Sequence, residues 1–140
     1  MLFVCTGNSA RSPIAEALLR HHTAEGVTVT SAGSRPKTHL HPNTVRVLGD
    51  QFGIDITGLQ PRHLDTLAGR RFDHVMTLCD KARETCPEFP HHPRRTHWSI
   101  PDPAPARATD RATYPAFQRV AADIETRIRH LLPVLTSTND

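Results

Sequence analysis

The fold is indicated by one stretch near the start of the chain, Val4-Cys5-Thr6-Gly7-Asn8-Ser9-Ala10-Arg11-Ser12-Pro13. The apolar residues that lead into it predict a strand. The apolar spacing after Pro13 predicts a helix, because proline is tolerated at the first helical position. The amides in between are placed to surround a small anion at the positive end of that helix. Gly7 and Asn8 are residue types that accept the unusual backbone angles of a tight loop. The stretch therefore predicts an anion-binding loop between a strand and a helix.

Two side chains of this loop indicate chemistry. Arg11 can bind two anion oxygens with its guanidinium fork. Cys5 lies at the loop floor in the same positive field, which we expect to depress its pKa and hold it as a nucleophilic thiolate. A single cysteine at a strand end is usually a small buried hydrophobic residue. The catalytic interpretation therefore depends on the joint pattern of strand, Cys-x5-Arg-Ser and proline-started helix.

The rest of the chain alternates strand and helix patterns. Four strands are predicted, at residues 2–4, 27–30, 72–78 and 95–99. Helices are predicted at residues 13–24, 43–52, 63–67, 80–86 and 114–135, and a turn at 31–36. Such alternation implies right-handed crossovers and a parallel sheet covered on both faces.

The predicted fold class is an α/β single-domain three-layer sandwich, with a four-stranded parallel sheet flanked by helices. We expect the domain to span residues 1–135 and a frayed tail to follow at 136–140. Ligands of such sheets bind beyond the carboxyl ends of the strands. Cys5 and Cys79 both follow strand ends, so both should lie at the same rim.

Composition narrows the functional classes. The formal net charge is +3, and only five Phe, one Tyr and one Trp are present to stack on bases. A nucleic-acid partner is therefore not favoured, and steering of a small anion fits the charge equally well. No apolar run approaches the length of a membrane span, and no signal peptide is recognised. We expect a cytoplasmic monomer with no membrane partner.

The chain has three cysteines, an odd count that favours redox or catalytic thiols over a structural framework. Cys79 and Cys86 are seven residues apart, which on a helix separates their Cα atoms by roughly 10.5 Å. A disulfide needs about 7 Å or less, so this pair can be bridged only if the segment unwinds. Two inert buried thiols remain an alternative. A zinc site is another, although His91, His92 and His97 do not complete the paired short spacings that zinc prefers.

The Cys-x5-Arg-Ser loop resembles the signature loop of the low-molecular-weight protein tyrosine phosphatase family, which the thioredoxin-coupled arsenate reductases of that family share. The three-cysteine arrangement resembles the arsenate reductase branch more than the phosphatases. The resemblance covers nearly the whole chain and includes Ser31-Ala32-Gly33, Cys86-Pro87, His97-Trp98-Ser99-Ile100-Pro101-Asp102-Pro103-Ala104 and Phe117-Gln118-Arg119-Val120. Family phosphatases usually carry tyrosines after the Asp-Pro pair, whereas Ala104-Pro105-Ala106 follows here. That departure argues against an aryl substrate.

The resemblance implies roles for individual residues. It makes Cys5 the nucleophile and Arg11 an oxyanion ligand, while Ser12 hydrogen-bonds the thiolate. Asp102, biased to an extended backbone by Pro103, becomes the candidate general acid. The implied oxyanion-binding loop comprises Thr6, Gly7, Asn8, Ser9, Ala10, Arg11 and Ser12.

The implied reaction is the reduction of arsenate to arsenite. A Cys5–Cys79 disulfide would form first and a Cys79–Cys86 disulfide next, and thioredoxin or a similar dithiol protein would reset the enzyme. Neither a metal nor an organic cofactor takes part. Some family members are stabilised by potassium, and Glu16 and Ser31 match parts of that site. Arg62 stands about where an acidic residue occurs and could supply the positive charge itself, so the resemblance leaves a potassium ion open.

Two other functions remain possible at this stage. A phosphatase acting on phosphotyrosine or small phosphoesters would use Cys5, Arg11 and Asp102 without the other thiols. A domain cut from a longer oxyanion-sensing regulator would explain why only four residues precede Cys5.

Overall fold

The computed structural model describes residues 1–24, 26–105 and 108–137, without the side chains of residues 136 and 137. Four parallel strands form one sheet in the order β2-β1-β3-β4. The strands are β1 (Leu2–Cys5), β2 (Thr30–Gly33), β3 (His74–Thr77) and β4 (Arg94–His97). Every residue of β1, β2 and β3 is buried, so both faces of the sheet are covered. The predicted α/β fold class is confirmed.

The helices follow the strands in alternation. They are α1 (Arg11–His22), α2 (Pro42–Phe52), α3 (Asp80–Thr85) and α4 (Asp110–Ser137), with a 3₁₀ helix at Leu64–Leu67. In α1 the buried residues include Ile14, Leu18 and Leu19, which share the helix face that packs on the sheet. None of the described helices is both long and apolar enough to cross a membrane.

The last helix starts one turn earlier than predicted. Its first turn is capped by Thr109, whose Oγ1 accepts a hydrogen bond from the amide of Ala112 at 3.1 Å. The prediction placed the start at residue 114, because it followed the apolar pattern and not the cap. The helix ends at Ser137, two residues into the predicted tail, and residues 138–140 lie outside the described residues.

The second strand was placed wrongly by the sequence. It runs over Thr30–Gly33 and not over residues 27–30, so the predicted turn at 31–36 begins inside the strand. Pairing with β1, from Leu2 opposite Thr30 to Cys5 opposite Gly33, decides its position. The β-branched residues that favoured the earlier placement are outweighed by this tertiary pairing.

Gly33 shows why small residues occupy this strand. A Cβ atom at Gly33 would lie 2.5 Å from the carbonyl oxygen of Thr6 and 3.0 Å from Cβ of Asn8. The loop after β1 therefore packs directly against the backbone of β2. This close approach positions the loop beside the end of the sheet.

Candidate active site

The loop that follows β1 is held by backbone hydrogen bonds from the segment that follows β2. The amides of Ser34, Arg35, Lys37 and His41 donate to the carbonyl oxygens of residues 5, 6, 7 and 9, at 2.9 to 3.2 Å. These bonds direct the loop carbonyls away from the loop centre. In contrast, the amide of residue 8 points inward and donates to the Cys5 sulfur at 3.3 Å. The loop thus presents donors, and not acceptors, to a bound anion.

Asn8 organises the interior of the loop. It is buried, and its φ of 48° is the left-handed conformation that asparagine tolerates. Its Oδ1 accepts from the amide of Arg62 at 2.9 Å, which fixes the orientation of the side-chain amide. Its Nδ2 donates to Ser12 Oγ at 2.8 Å and to Ser31 Oγ at 3.0 Å. Ser31 in turn donates to Glu16 Oε1 at 2.8 Å.

This network orients the hydroxyl of Ser12 toward the cysteine. Ser12 Oγ lies 2.8 Å from Cys5 Sγ and already accepts a hydrogen bond from Asn8. The proton of Ser12 therefore remains available for the sulfur. Because a thiolate can only accept hydrogen bonds, this arrangement favours the ionised form of Cys5 over the neutral form.

Burial acts on Cys5 in the opposite direction and has the larger effect. The residue is 2 % exposed, and desolvation raises the pKa of its thiol, while Ser12, Arg11 and the amide of Asn8 act to lower it. The predicted depression of this pKa is therefore wrong. The sequence shows the positive groups of the loop, but it does not show how completely the strand end is removed from water.

The charge of buried Glu16 is balanced by Arg20. Arg20 NH2 lies 3.1 Å from Glu16 Oε2, and the other carboxylate oxygen accepts from Ser31. Both oxygens are therefore engaged by protein donors, Arg20 and Ser31. The sequence suggested that Arg62 could supply the compensating charge. Arg62 instead contributes its backbone amide, and the guanidinium comes from the neighbouring turn of α1.

Arg11 connects the loop to the segment that carries Asp102. Its NH1 donates to the carbonyl of Ile100 at 3.0 Å. Two residues further on, the exposed Asp102 accepts from the amide of Ala104 through Oδ1 at 2.9 Å. This local turn holds the Asp102 carboxyl at the edge of the cavity that Cys5 and Arg11 also line.

The cavity over the loop is small, with a volume of about 150 Å³. This is below the roughly 300 Å³ at which pockets for larger organic ligands begin. Residues outside the loop complete its wall: Arg35, Lys37, His41, Asp102 and Ala104. None of the described lining residues is Phe, Tyr or Trp, and the wall offers no phenyl ring on which an aryl ester could stack.

His41 is a structural residue in this wall. Its Nδ1 accepts the amide hydrogen of Asn43 at 3.0 Å and so caps α2, and its ring lies against Phe117. Its pKa is lowered by burial and by the charge of Lys37, while Asp110 and Asp102 act to raise it. The neutral ring is therefore the form that the fold favours.

The three thiols are all free, and they occupy different positions around the loop. Cys79 follows β3, is buried, and lies with its Sγ 3.2 Å from Thr6 Oγ1. The structure therefore brings Cys79 to the same rim as Cys5, as predicted from the strand ends. Cys86 is half-buried and lies at the other end of α3.

Within residues 1–24, 26–105 and 108–137, no group of three or more His, Cys, Asp or Glu side chains is arranged to hold a metal ion. His97, which the sequence placed near the two later thiols, instead contacts Thr77, Asp80 and Ser99.

The basic side chains at the mouth of the cavity were not predicted from the sequence. Arg35 and Lys37 follow β2 directly, and β2 is the neighbour of β1 in the sheet. A correct end for the second strand would have placed both residues at the functional rim. Assigning the strand to residues 27–30 concealed this signal.

A parallel sheet with an anion-binding Cys-x5-Arg loop at the carboxyl end of its first strand is typical of one class of phosphatase-like protein. The sequence model of the low molecular weight phosphotyrosine protein phosphatases matches residues 1–139. The chain belongs to this family.

Within the family, the chain is similar to proteins named as arsenate reductases. It is 40% identical over 129 residues to the arsenate reductase of Shouchella clausii strain KSM-K16, a match that covers 91% of this chain and 90% of that protein. The fold is similar to the crystal structure of an arsenate reductase from Archaeoglobus fulgidus, with a TM-score of 0.74 and 30% identity over 94% of this chain and 98% of that one.

A third similar protein is larger. The thioredoxin-dependent arsenate reductase of Corynebacterium glutamicum matches with a TM-score of 0.74 and 30% identity, over 98% of this chain and 61% of that chain. The present chain therefore spans about three fifths of the length of that protein.

Proposed function

We propose that this protein reduces arsenate to arsenite with three cysteines that act in turn. The observation that carries the proposal is the contact of 3.2 Å between Thr6 Oγ1 and Cys79 Sγ, which brings a second buried thiol to the loop of Cys5. Phosphate-ester hydrolysis at Cys5 needs no second thiol. The similarity to arsenate reductases from three genera supports the same conclusion.

Substrate binding uses the donors of the loop. Arsenate is a tetrahedral oxyanion, and the loop amides together with the Arg11 guanidinium supply hydrogen bonds to its oxygens. Arg11 reaches the substrate by exchanging its hydrogen bond with the Ile100 carbonyl for one with an arsenate oxygen. Arg35 and Lys37 at the mouth attract the anion from solution.

In the first step the Cys5 thiolate attacks arsenic, and one arsenic–oxygen bond breaks. Asp102 protonates the leaving oxygen, so that water and not hydroxide departs. The hydroxyl of Ser12 stabilises the thiolate before attack, against the unfavourable effect of its burial.

In the second step the Cys79 thiolate attacks the sulfur of Cys5. A Cys5–Cys79 disulfide forms, the electron pair of the sulfur–arsenic bond passes to arsenic, and arsenite leaves. Arsenic gains the two electrons that the two thiols lose. In the third step the Cys86 thiolate attacks Cys79 and displaces the Cys5 thiolate. A dithiol protein of the thioredoxin type then reduces the Cys79–Cys86 disulfide. We place this cycle in the cytoplasm and assign it to the monomer.

A phosphatase activity is the second candidate function, because the Cys5, Arg11 and Asp102 arrangement also suits hydrolysis of a phosphate monoester. The lining of the cavity, which includes no Phe, Tyr or Trp among its described residues, favours small phosphoesters over phosphotyrosine.

A coupled assay distinguishes arsenate reduction from phosphatase activity. Arsenate, thioredoxin, thioredoxin reductase and NADPH are mixed with the wild type or with Cys5→Ser, Cys79→Ser or Cys86→Ser, and NADPH loss is followed. All three variants should lose multiple-turnover reduction, whereas Cys79→Ser and Cys86→Ser should retain any hydrolysis of p-nitrophenyl phosphate. Steady arsenate reduction by Cys79→Ser or Cys86→Ser would reject the proposed relay.

A further inference from the structure

The helix between the two later thiols is weakly anchored by apolar packing. α3 has six residues, and Ala82 is its only buried one. A helix this short is not stable by itself in water. Side-chain contacts at its ends must therefore contribute much of what holds it in place.

The first residue of α3 is attached to strand β4. Asp80 Oδ1 accepts hydrogen bonds from His97 Nε2 and from Ser99 Oγ, each at 3.0 Å. His97 Nδ1 lies 2.7 Å from Thr77 Oγ1, and the hydroxyl of Thr77 can donate to it. All these contacts are satisfied by a neutral His97 with its proton on Nε2. The imidazole thus connects β3, β4 and the start of the helix.

The chain just beyond α3 is attached to the same strand. Arg95 donates through NH2 to the carbonyl of Pro87 and lies 3.6 Å from Glu88 Oε2. Burial raises the pKa of Cys86, and the positive charge of Arg95 acts against this effect.

Arg95 and His97 are alternate residues of β4 and therefore point to the same face of the sheet. Their partners in the strand register, Val75 and Thr77, share that face. A cavity of about 350 Å³ separates this part of the sheet from Arg83 of α3. The space gives the helix room to move, and the polar contacts at its two ends span the gap.

We propose that Arg95 and His97 form a clamp on α3 that keeps Cys79 and Cys86 apart until the relay needs them. With the helix formed, the Cα atoms of the two cysteines are separated by roughly 10 Å, beyond disulfide reach. Release of either end allows α3 to unwind, so that the Cys86 thiolate attacks Cys79 and expels the Cys5 thiolate. Arg95 and His97 are positioning residues that do not touch the oxyanion. Their part in the relay rests on the proposed function, whereas the clamp itself does not.

The clamp is tested without arsenate in a Cys5→Ser background. Oxidised glutathione is added to the full chain, and formation of the Cys79–Cys86 disulfide is followed by non-reducing peptide mapping. Two electrons and two protons pass from the thiols to glutathione, so no other reactant is needed. The two thiols can pair with each other only when α3 is open, so the rate at which the Cys79–Cys86 disulfide forms reports how often α3 opens.

Arg95→Met and His97→Phe should each accelerate this oxidation about tenfold, the effect expected from loss of a hydrogen bond to a charged group. Arg94→Met is the matched control. It removes the same type of side chain from the adjacent position of β4. Arg94 lies on the face of the sheet that carries His74, and its charge lowers the pKa of that histidine. This control should stay within about twofold of the parent. Hydrogen exchange of the α3 amides should rise in parallel with the oxidation rate in the two clamp variants alone.

Unchanged oxidation in both clamp variants, or equal acceleration by Arg94→Met, would overturn the clamp. His97→Phe is more at risk of misfolding than the exposed Arg95→Met, and thermal unfolding identifies such a failure. The outcome is independent of the proposed reaction. If the clamp variants oxidise faster while the wild type fails to reduce arsenate, the clamp is supported and the assignment as an arsenate reductase is rejected.

Discussion

The hydroxyl of Thr6 lies 3.2 Å from the sulfur of Cys79, although 73 residues separate them in the chain. The carboxyl ends of β1 and β3, which are neighbours in the sheet, bring them together. When Cys79 is ionised, only Thr6 can donate in this contact. The loop that holds the oxyanion therefore also stabilises the thiolate that attacks in the second step of the proposed reaction.

Replacing Thr6 by Val should slow the second step and spare the first. Valine keeps the shape of the side chain but removes the hydrogen bond, and loss of a bond to a charged partner is worth about 1.5 kcal/mol or more, about tenfold in rate. We expect the Cys5–Cys79 disulfide to form about tenfold more slowly in a rapid-quench single turnover. Hydrolysis of p-nitrophenyl phosphate, if present, should change little. Thr66→Val, at an exposed hydroxyl that donates to the carbonyl of His63, is the control.

Replacing Gly33 by Ala should damage the loop. The new Cβ would meet the Thr6 carbonyl oxygen at 2.5 Å, a backbone contact that has no flexible neighbour to give way. We expect destabilisation of about 2 kcal/mol or more, together with a raised KM for arsenate. Gly49→Ala tests the same change in the middle of α2, where a Cβ meets nothing within 4 Å. That variant should be neutral or more stable by up to about 1 kcal/mol. Similar urea midpoints for the two variants would contradict the proposed steric contact.

Replacing Arg20 by Met should destabilise the protein through Glu16. The carboxylate is 2 % exposed and would lose its only cationic partner among the contacts of the described residues. Breaking a buried pair costs about 3 kcal/mol or more, but the Arg20 side chain is 42 % exposed, so we expect about 1 to 2 kcal/mol in urea unfolding. Arg129→Met breaks another i,i+4 pair, on α4, in which the Glu125 side chain is 19% exposed against 2% for Glu16, and should cost about 0.5 kcal/mol or less. Equal costs would show that burial of Glu16 has no energetic consequence.

Stability should fall as the pH decreases below about 6.5, the ordinary pKa of histidine. The pKa values of His41 and His74 are both lowered in the fold, mainly by burial. The charges of Arg94 and the chain amino group act in the same direction on His74. Below pH 6.5 these two histidines are protonated in the unfolded chain but remain neutral in the folded protein. Acid therefore favours unfolding.

Urea unfolding between pH 7.5 and 5 measures this dependence. His74→Gln and His41→Asn retain polar groups at both positions and should each flatten the decline. Unchanged pH dependence in the double variant would contradict the assignment to these two histidines.

The parts of the site that depend on local sequence were predictable. The strand, the Cys-x5-Arg-Ser loop and the start of α1 are contiguous, so their chemistry can be read from neighbouring residues. The position of β2 was not predictable from local sequence, because pairing with β1 and the close approach of Gly33 to Thr6 outweigh local propensity. Arg35 and Lys37 were missed as a consequence.

Properties that arise from burial, or from contacts between residues distant in the chain, could also not be predicted from the sequence. The pKa of Cys5 depends on the balance between desolvation and the donors around it, and only the fold sets that balance. The contact of Asp80 with His97 depends on the register between β3 and β4, which no local pattern indicates.

Disulfide mapping after one turnover tests the central claim most directly. Fully reduced protein is mixed with excess arsenate in the absence of any external reductant, and the products are analysed by non-reducing mass spectrometry. We predict one arsenite released per chain, a Cys79–Cys86 disulfide and a free Cys5 thiol. Failure to release arsenite, or release with Cys79 and Cys86 both reduced and the electrons supplied by formation of a disulfide between the Cys5 residues of two chains, would contradict the three-thiol relay.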